Sequence, residues 1–170
     1  MNDNSEIEYQ VLEILEKNSR ISTSDMSKML NVEEDVVEGI IKKLEEKSII
    51  CGYTTLINWD RTDKEGEMIT ALIEVKVTPQ RENGFDKIAK RIYSFDEVKS
   101  VHLMSSATFD LLIFIEGKNI KEISFFVSNK LATLDCILST STHFVLKKYK
   151  ENGVIISEEL SKDERIIISP

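Results

Sequence analysis

Between Val32 and Ser48 the apolar residues Val36, Val37, Ile40, Ile41 and Leu44 recur at spacings of three and four. That spacing lays one stripe along a roughly 3.6-residue period and predicts a helix with one face on a core. Upstream, Ile7, Val11, Ile14 and Leu15, with Leu12 beside them, predict an amphipathic helix over 5–18. Ser22-Thr23-Ser24-Asp25 is an S-x-x-D cap ahead of Met26, Met29 and Leu30, so a short second helix starts there and Asn31 interrupts it. Three helices joined by short polar turns describe a helix-turn-helix unit. Ile49, Ile50, Tyr53, Thr54, Thr55 and Ile57 then make 49–59 rich in β-formers, which predicts a small wing or a strand leading away.

Residues 60–67, Asp-Arg-Thr-Asp-Lys-Glu-Gly-Glu, contain no apolar residue and mark a domain boundary. Beyond them the period changes to about two: Ile69, Ala71, Ile73, Val75 and Val77 alternate with Thr70, Leu72, Glu74, Lys76 and Thr78, a strand closed by Pro79. A helix follows over 84–93 on Phe85, Ile88, Ala89 and Ile92. Val98–Met104 and Phe109–Glu116 are strands separated only by 105–108, short enough for a hairpin. Ile120, Ile123, Val127, Leu131 and Leu134 mark another helix, and Ile137–Tyr149 is a long β-rich stretch.

The order β-α-β-β-α-β predicts an α+β chain whose C-terminal part is a ferredoxin-like sandwich, with both helices on one face of an antiparallel sheet. Thr70, Leu72, Leu112, Phe114, Leu138, Phe144 and Leu146 fall on the other face, too apolar a set to leave in water, so sheet-to-sheet dimerisation is expected. The expected domains are a helix-turn-helix over 1–59, a linker over 60–67, the sandwich over 68–150 and a tail over 151–170. In the tail Val154–Ile156 and Arg165–Ile168 are short edge-strand candidates.

The 170 residues, 41% hydrophobic and 31% charged, are those of a globular protein. No apolar run approaches the roughly 20 residues of a membrane helix, and the N-terminus MNDNSEIE is no secretory signal, so a cytoplasmic location without membrane partners is expected. Cys51 and Cys136 lie far apart in apolar surroundings and are expected to be reduced core residues. His102 and His143 are the only histidines and make no metal cluster; no cofactor is expected. Nothing in the chain has the spacing of a catalytic triad, a phosphate loop or paired catalytic carboxylates, so an enzyme is not expected.

A net charge of -8 lowers affinity for phosphates, which is built from Lys and Arg. Outside its apolar stripe the 32–48 helix carries Glu33, Glu34, Asp35, Glu38, Glu45 and Glu46 against Lys42, Lys43 and Lys47. DNA would meet Glu33, Glu34, Asp35 and Glu38 at the helix front, where base-reading side chains usually sit, and Lys42, Lys43 and Arg61 at phosphates. The same residues also fit a solvated charged face laced by pairs such as Glu38–Lys42.

Ser105, Ser106, Ala107, Thr108, Phe109 and Asp110 gather hydroxyls, turn amides and one carboxylate beside an apolar strand. Such a set suits a zwitterion, its ammonium on Asp110 and its carboxylate on hydroxyls and amides. It equally suits a plain turn capped by Asp110. Thr140, Thr142 and His143 are weaker candidates, since alternating Thr is ordinary in a strand.

Three stretches carry a resemblance over about 7–153: KKLEEKSIICGYTTLIN (42–58), ATFD (107–110) and STSTHFVLKKYK (139–150). In this order they are similar to the helix end and wing, the G-x-Y-D hairpin and the last strand of the leucine-responsive and asparagine-synthetase regulator family, Lrp/AsnC. The resemblance implies a homodimeric transcriptional regulator that assembles further, often into octamers, and binds a small amino acid between dimers. Lys42 and Lys43 match its basic positions; Glu33, Ile40 and Ala107 stand where the family commonly has Ser, Arg and Gly. Haem-pathway decarboxylases look like this family in fold, and Lys99, His102 and His143 are the few residues such an enzyme could use. The sequence thus reads as a DNA-binding regulator with an amino-acid effector. The alternatives are a sensor or protein-interaction module with a degenerate helix-turn-helix and, behind it, a decarboxylase-like enzyme.

Overall fold

The computed structural model describes residues 3–63, 68–78 and 84–156. The chain divides into two compact units, Met1–Leu56 and Ile57–Pro170, just ahead of the hydrophilic junction.

The first unit holds α1 (Asp3–Lys17), α2 (Thr23–Leu30) and α3 (Glu34–Glu46) around Val11, Leu15, Met26, Val37, Ile40 and Leu44. α2 starts where the capping pattern puts it. The Asp25 N–H donates to Ser22 Oγ at 3.0 Å, and the Ser22 hydroxyl donates back to the Asp25 carboxylate at 2.7 Å. Asn31, at φ 54°, ends the helix in the left-handed region. Val36 departs from its expected place on the apolar stripe: it is 41% exposed, because Val37, Ile40 and Leu44 define the buried line and its neighbour one position back points about 100° away. Ile40, by contrast, is core.

In the stretch after α3, where a wing or a strand was expected, the strand and the buried Cys51 do not appear. No strand forms over 49–58, since a strand needs a ladder partner and the described residues offer it none. Cys51 is exposed instead of buried, its thiol directed at the Ser48 carbonyl 3.3 Å away. Tyr53 fastens the stretch to α3, donating its hydroxyl to Glu45 Oε1 at 2.9 Å.

After a 3-10 turn at Trp59–Arg61 the second unit runs β1 (Ile69–Val77), α4 (Asp86–Tyr93), β2 (Val98–Leu103), β3 (Leu111–Gly117), α5 (Ile120–Phe126) and β4 (Ile137–Phe144). The sheet order is β2-β3-β1-β4 with every neighbour antiparallel, the ferredoxin-like arrangement. Alternation decides the faces. Ala71, Ile73, Val75 and Val77 of β1 and Leu111, Ile113 and Ile115 of β3 bury against Ile88 and Ile92 of α4 and Ile123 and Phe126 of α5.

The helix expected over 120–134 is not continuous. It passes into a π-helical turn at Val127–Leu131, whose extra residue rotates Leu131 and Leu134 onto the core while Ile120, on the same expected stripe, stays exposed. Lys130 in that turn ion-pairs with Glu97 at 2.5 Å and lies 5.2 Å and 5.6 Å from the ring centres of Phe95 and Phe126.

β4 ends at Phe144, earlier than expected, and a register shift opposite Lys76/Val77 changes which of its residues face the helices. Phe144 pairs with Ala71 and packs on the core, so it leaves the expected open-face set; Leu138 is exposed at the irregularity, and Leu146 lies beyond the strand. The open face that remains centres on Leu72, Leu112 and Phe114. β5 (Lys150–Glu151) and β6 (Val154–Ile155) close a small hairpin through Asn152 and Gly153, both at positive φ. Asn58 Nδ2 donates to the Ile156 carbonyl at 2.9 Å. Residues 64–67, Pro79 and the candidate strand 165–168 lie outside the described residues.

Candidate DNA-binding helix and effector loop

On α3 the side chains left outside the core are the ones singled out for DNA. Glu33, Glu34, Asp35, Glu38, Lys42 and Lys43 are all exposed. Their polar partners differ. Glu34 Oε1 accepts the Thr23 hydroxyl at 2.7 Å, tying the starts of α2 and α3 together. Lys43 pairs with Glu8 of α1, not along its own helix, and the expected Glu38–Lys42 pair is not among the described ion pairs. Asp35, Glu38, Gly39, Lys42 and Glu46 recur at three and four residues and form one ridge. Gly39 on that ridge has no atom within 4 Å of where a Cβ would stand. Arg61 belongs to the 3-10 turn of the other unit.

The second unit presents the loop between β2 and β3. Ser106 and Thr108 hydroxyls lie 3.2 Å apart, and the Thr108 N–H donates to Ser106 Oγ at 3.3 Å, so these hydroxyls shape the turn. Ala107 has no positive φ, which is why it can stand in the place of a glycine. The Met104 N–H donates to the Asp110 carbonyl at 2.8 Å and closes the loop.

Asp110 is more than a turn cap. Its Oδ2 accepts the Val77 N–H at 2.9 Å and its Oδ1 lies 3.2 Å from Lys76 Nζ, with side chains 17% and 35% exposed respectively. The Val77 hydrogen bond, then Lys76, hold the Asp110 carboxyl below the usual carboxylate range against the opposing effect of burial. Just beyond the last ladder pairs of β3, the Met104–Asp110 backbone hydrogen bond, the Asp110–Lys76 contact and the Lys76–Ser139 pairing bring these four residues together at the end of the open face. The next rows are His102, Leu112, Glu74 and Ser141, then Ser100, Phe114, Leu72 and His143.

Thr140 and Thr142 do not join this group. They pair with the buried Val75 and Ile73, so the register puts these two weaker effector candidates on the helix-covered side, away from Asp110 and Lys76.

A family model described as the Lrp/AsnC ligand binding domain matches residues 70–155, and a winged helix-turn-helix DNA-binding model matches 4–50. The chain belongs to the Lrp/AsnC family of helix-turn-helix transcriptional regulators. It is 46% identical over 166 residues to an uncharacterised HTH-type transcriptional regulator, YugG, of Bacillus subtilis (strain 168), covering 98% of each chain. Its fold is that of E. coli AsnC, with a TM-score of 0.64 at 21% identity over 89% of this chain and 96% of that one. A transcriptional regulator from Neisseria meningitidis solved as an L-Met complex is similar at a TM-score of 0.66 and 20% identity, over 95% and 98% of the two chains.

In this Lrp/AsnC protein the family and its relatives are transcriptional regulators and not enzymes, which sets the decarboxylase alternative aside. Among the described residues no group of His, Cys, Asp and Glu is placed to hold a metal, and no helix is long and apolar enough to cross a membrane. Two residues escaped the sequence reading. Gly39 was hidden by the acids around it, and Lys76 looked like the solvent side of an ordinary alternating strand; only the pairing of β1 with the start of β3 puts it beside Asp110.

Proposed function

We propose that this Lrp/AsnC regulator works in the cytoplasm as a homodimer that assembles further, binds DNA through α3 and binds a small amino acid beside the 105–110 loop. The dividing lines are residues 1–59 for DNA and 68–150 for the effector and assembly. The observation that carries the effector half is Asp110: a half-buried carboxylate kept charged at the mouth of a hydroxyl-bearing loop, with lone pairs left for an ammonium. For assembly, the support is the apolar centre of the open sheet face, Leu72, Leu112 and Phe114. For DNA, it is the solvent-facing ridge of α3, where Lys42, with Lys43 beside it, meets phosphates and the acidic front contributes little. The L-Met complex of the Neisseria relative supports an amino-acid effector in kind.

Gel shifts with fragments from the protein's own genome, with and without each of the twenty amino acids, test the reading. Binding that weakens steeply with salt and responds to an amino acid is expected. No binding at low salt under any of these conditions would falsify it. The exposed acids also favour a second reading, a helix-turn-helix turned to protein partners. Glu33→Ala, Glu34→Ala and Glu38→Ala variants that leave DNA affinity unchanged support that second reading.

A further inference from the structure

We infer that Lys76 is the carboxylate anchor of the effector site, so that the ligand is recognised as a complete zwitterion by the Asp110–Lys76 pair and not by the loop alone. The inference rests on the effector reading above and adds a specificity-determining residue outside the loop. Lys76 has three donors, and its described polar contact is with Asp110 Oδ1, which leaves donors for a second anion. Asp110 spends one oxygen on the Val77 N–H and the other on Lys76, and each oxygen keeps a lone pair. An α-amino acid carries its own ammonium and carboxylate on adjacent atoms. Laid head to tail over the pair, it meets opposite charge at both ends, giving two charge-assisted contacts in place of one.

The neighbours of the pair fit this pose. Ser139 stands across from Lys76 and offers a hydroxyl to the carboxylate, while Met104 stands beyond Asp110 and Leu112 in the next row, giving the ligand side chain apolar surface. The loop hydroxyls of Ser106 and Thr108 bond to each other and shape the turn, so they are poorer anion donors than an ammonium. The ligand class is therefore a free α-amino acid with an uncharged side chain; esters, amides and peptides blocked at the carboxylate bind more weakly.

The test is calorimetry on the full chain with L-methionine, L-leucine and their carboxamides, at about pH 6 so that every α-amine is protonated. Wild type should bind the amino acids on the order of ten- to a hundredfold more tightly than the carboxamides, the worth of a hydrogen bond to a charged group. Lys76→Gln should erase that discrimination, and Lys76→Arg should restore most of it; thermal melts of both variants check that they fold. Unaltered discrimination in Lys76→Gln, or equal binding of acid and amide by wild type, overturns the assignment. Wild type that binds none of the four ligands, nor any amino acid in the gel-shift panel, removes the effector reading itself and this anchor with it.

Discussion

On the proposed reading, Gly39 is the residue at which folding and DNA binding ask for different things. It stands on the exposed ridge of α3 between Glu38 and Lys42, with open space where a Cβ would go. An exposed glycine inside a helix costs about 0.5–1 kcal/mol relative to alanine through the entropy of the unfolded chain. Gly39→Ala should therefore raise stability to urea by roughly that amount. If the glycine is there for close approach to a phosphate backbone, the same variant should bind DNA several-fold more weakly; unchanged affinity would place the DNA elsewhere on the helix. Asp110 gives the second test at this scale. Its folded pKa is depressed, so its contribution is present above the unfolded value of about 3.9 and disappears as pH falls through the lower folded value. Asp110→Ala, which leaves the Val77 N–H without its acceptor, should cost about 1–2 kcal/mol near neutral pH. In urea melts that deficit should shrink steadily as the pH is lowered through the carboxylate range, and a pH-independent deficit would mean the loss is packing alone.

Among the elements, α2 is only 8 residues long and its start is held by a single side chain, Ser22. Ser22→Ala should destabilise the first unit by about 1 kcal/mol, the usual worth of an N-cap, and hydrogen exchange should quicken first in α2. That cap was legible from four letters, as were β1, from strict alternation, and α4, from Ile88 and Ile92 at helical spacing. What was illegible depends on partners that a linear pattern does not contain. The β-formers of 49–58 promised a strand, but propensity cannot supply a ladder, and without one Cys51 and Tyr53 face solvent. A π turn broke the continuity of the helix expected over 120–134, and although Leu131 and Leu134 are buried as expected, Ile120 is left exposed. In β4 one register shift carried Phe144 to the core and put Thr140 and Thr142 opposite Val75 and Ile73, taking the two strand candidates away from the loop while the unremarked Lys76 stands beside Asp110. The Asn152-Gly153 pair was the one missed element with a plain local signal, since that dipeptide favours a two-residue hairpin turn.

For the whole molecule the difficulty is charge. On the proposed reading, a chain of net charge -8 that meets DNA with a helix bearing four acids at its front, Glu33, Glu34, Asp35 and Glu38, is expected to bind weakly per copy. Joining two copies makes the second contact intramolecular, at an effective concentration in the millimolar range, and overall affinity can rise about 10²–10⁴-fold without a new contact. On the proposed reading the surface that joins them is the open sheet face, where Leu72 and Phe114 are direct cross-strand partners and Leu112 stands two residues before Phe114 on the same strand, diagonal to Leu72. Phe114→Asp places a charge at the centre of that face while its strand neighbours Ile113 and Ile115 keep the core intact. The variant should run as a monomer in light scattering, retain its circular dichroism, and lose at least tenfold in DNA affinity as avidity goes, with its salt slope reduced because fewer phosphates are met per complex. A folded Phe114→Asp protein that remains dimeric would put the interface on another surface. A monomer that binds DNA as tightly as wild type would show that one copy of α3 suffices despite its acids.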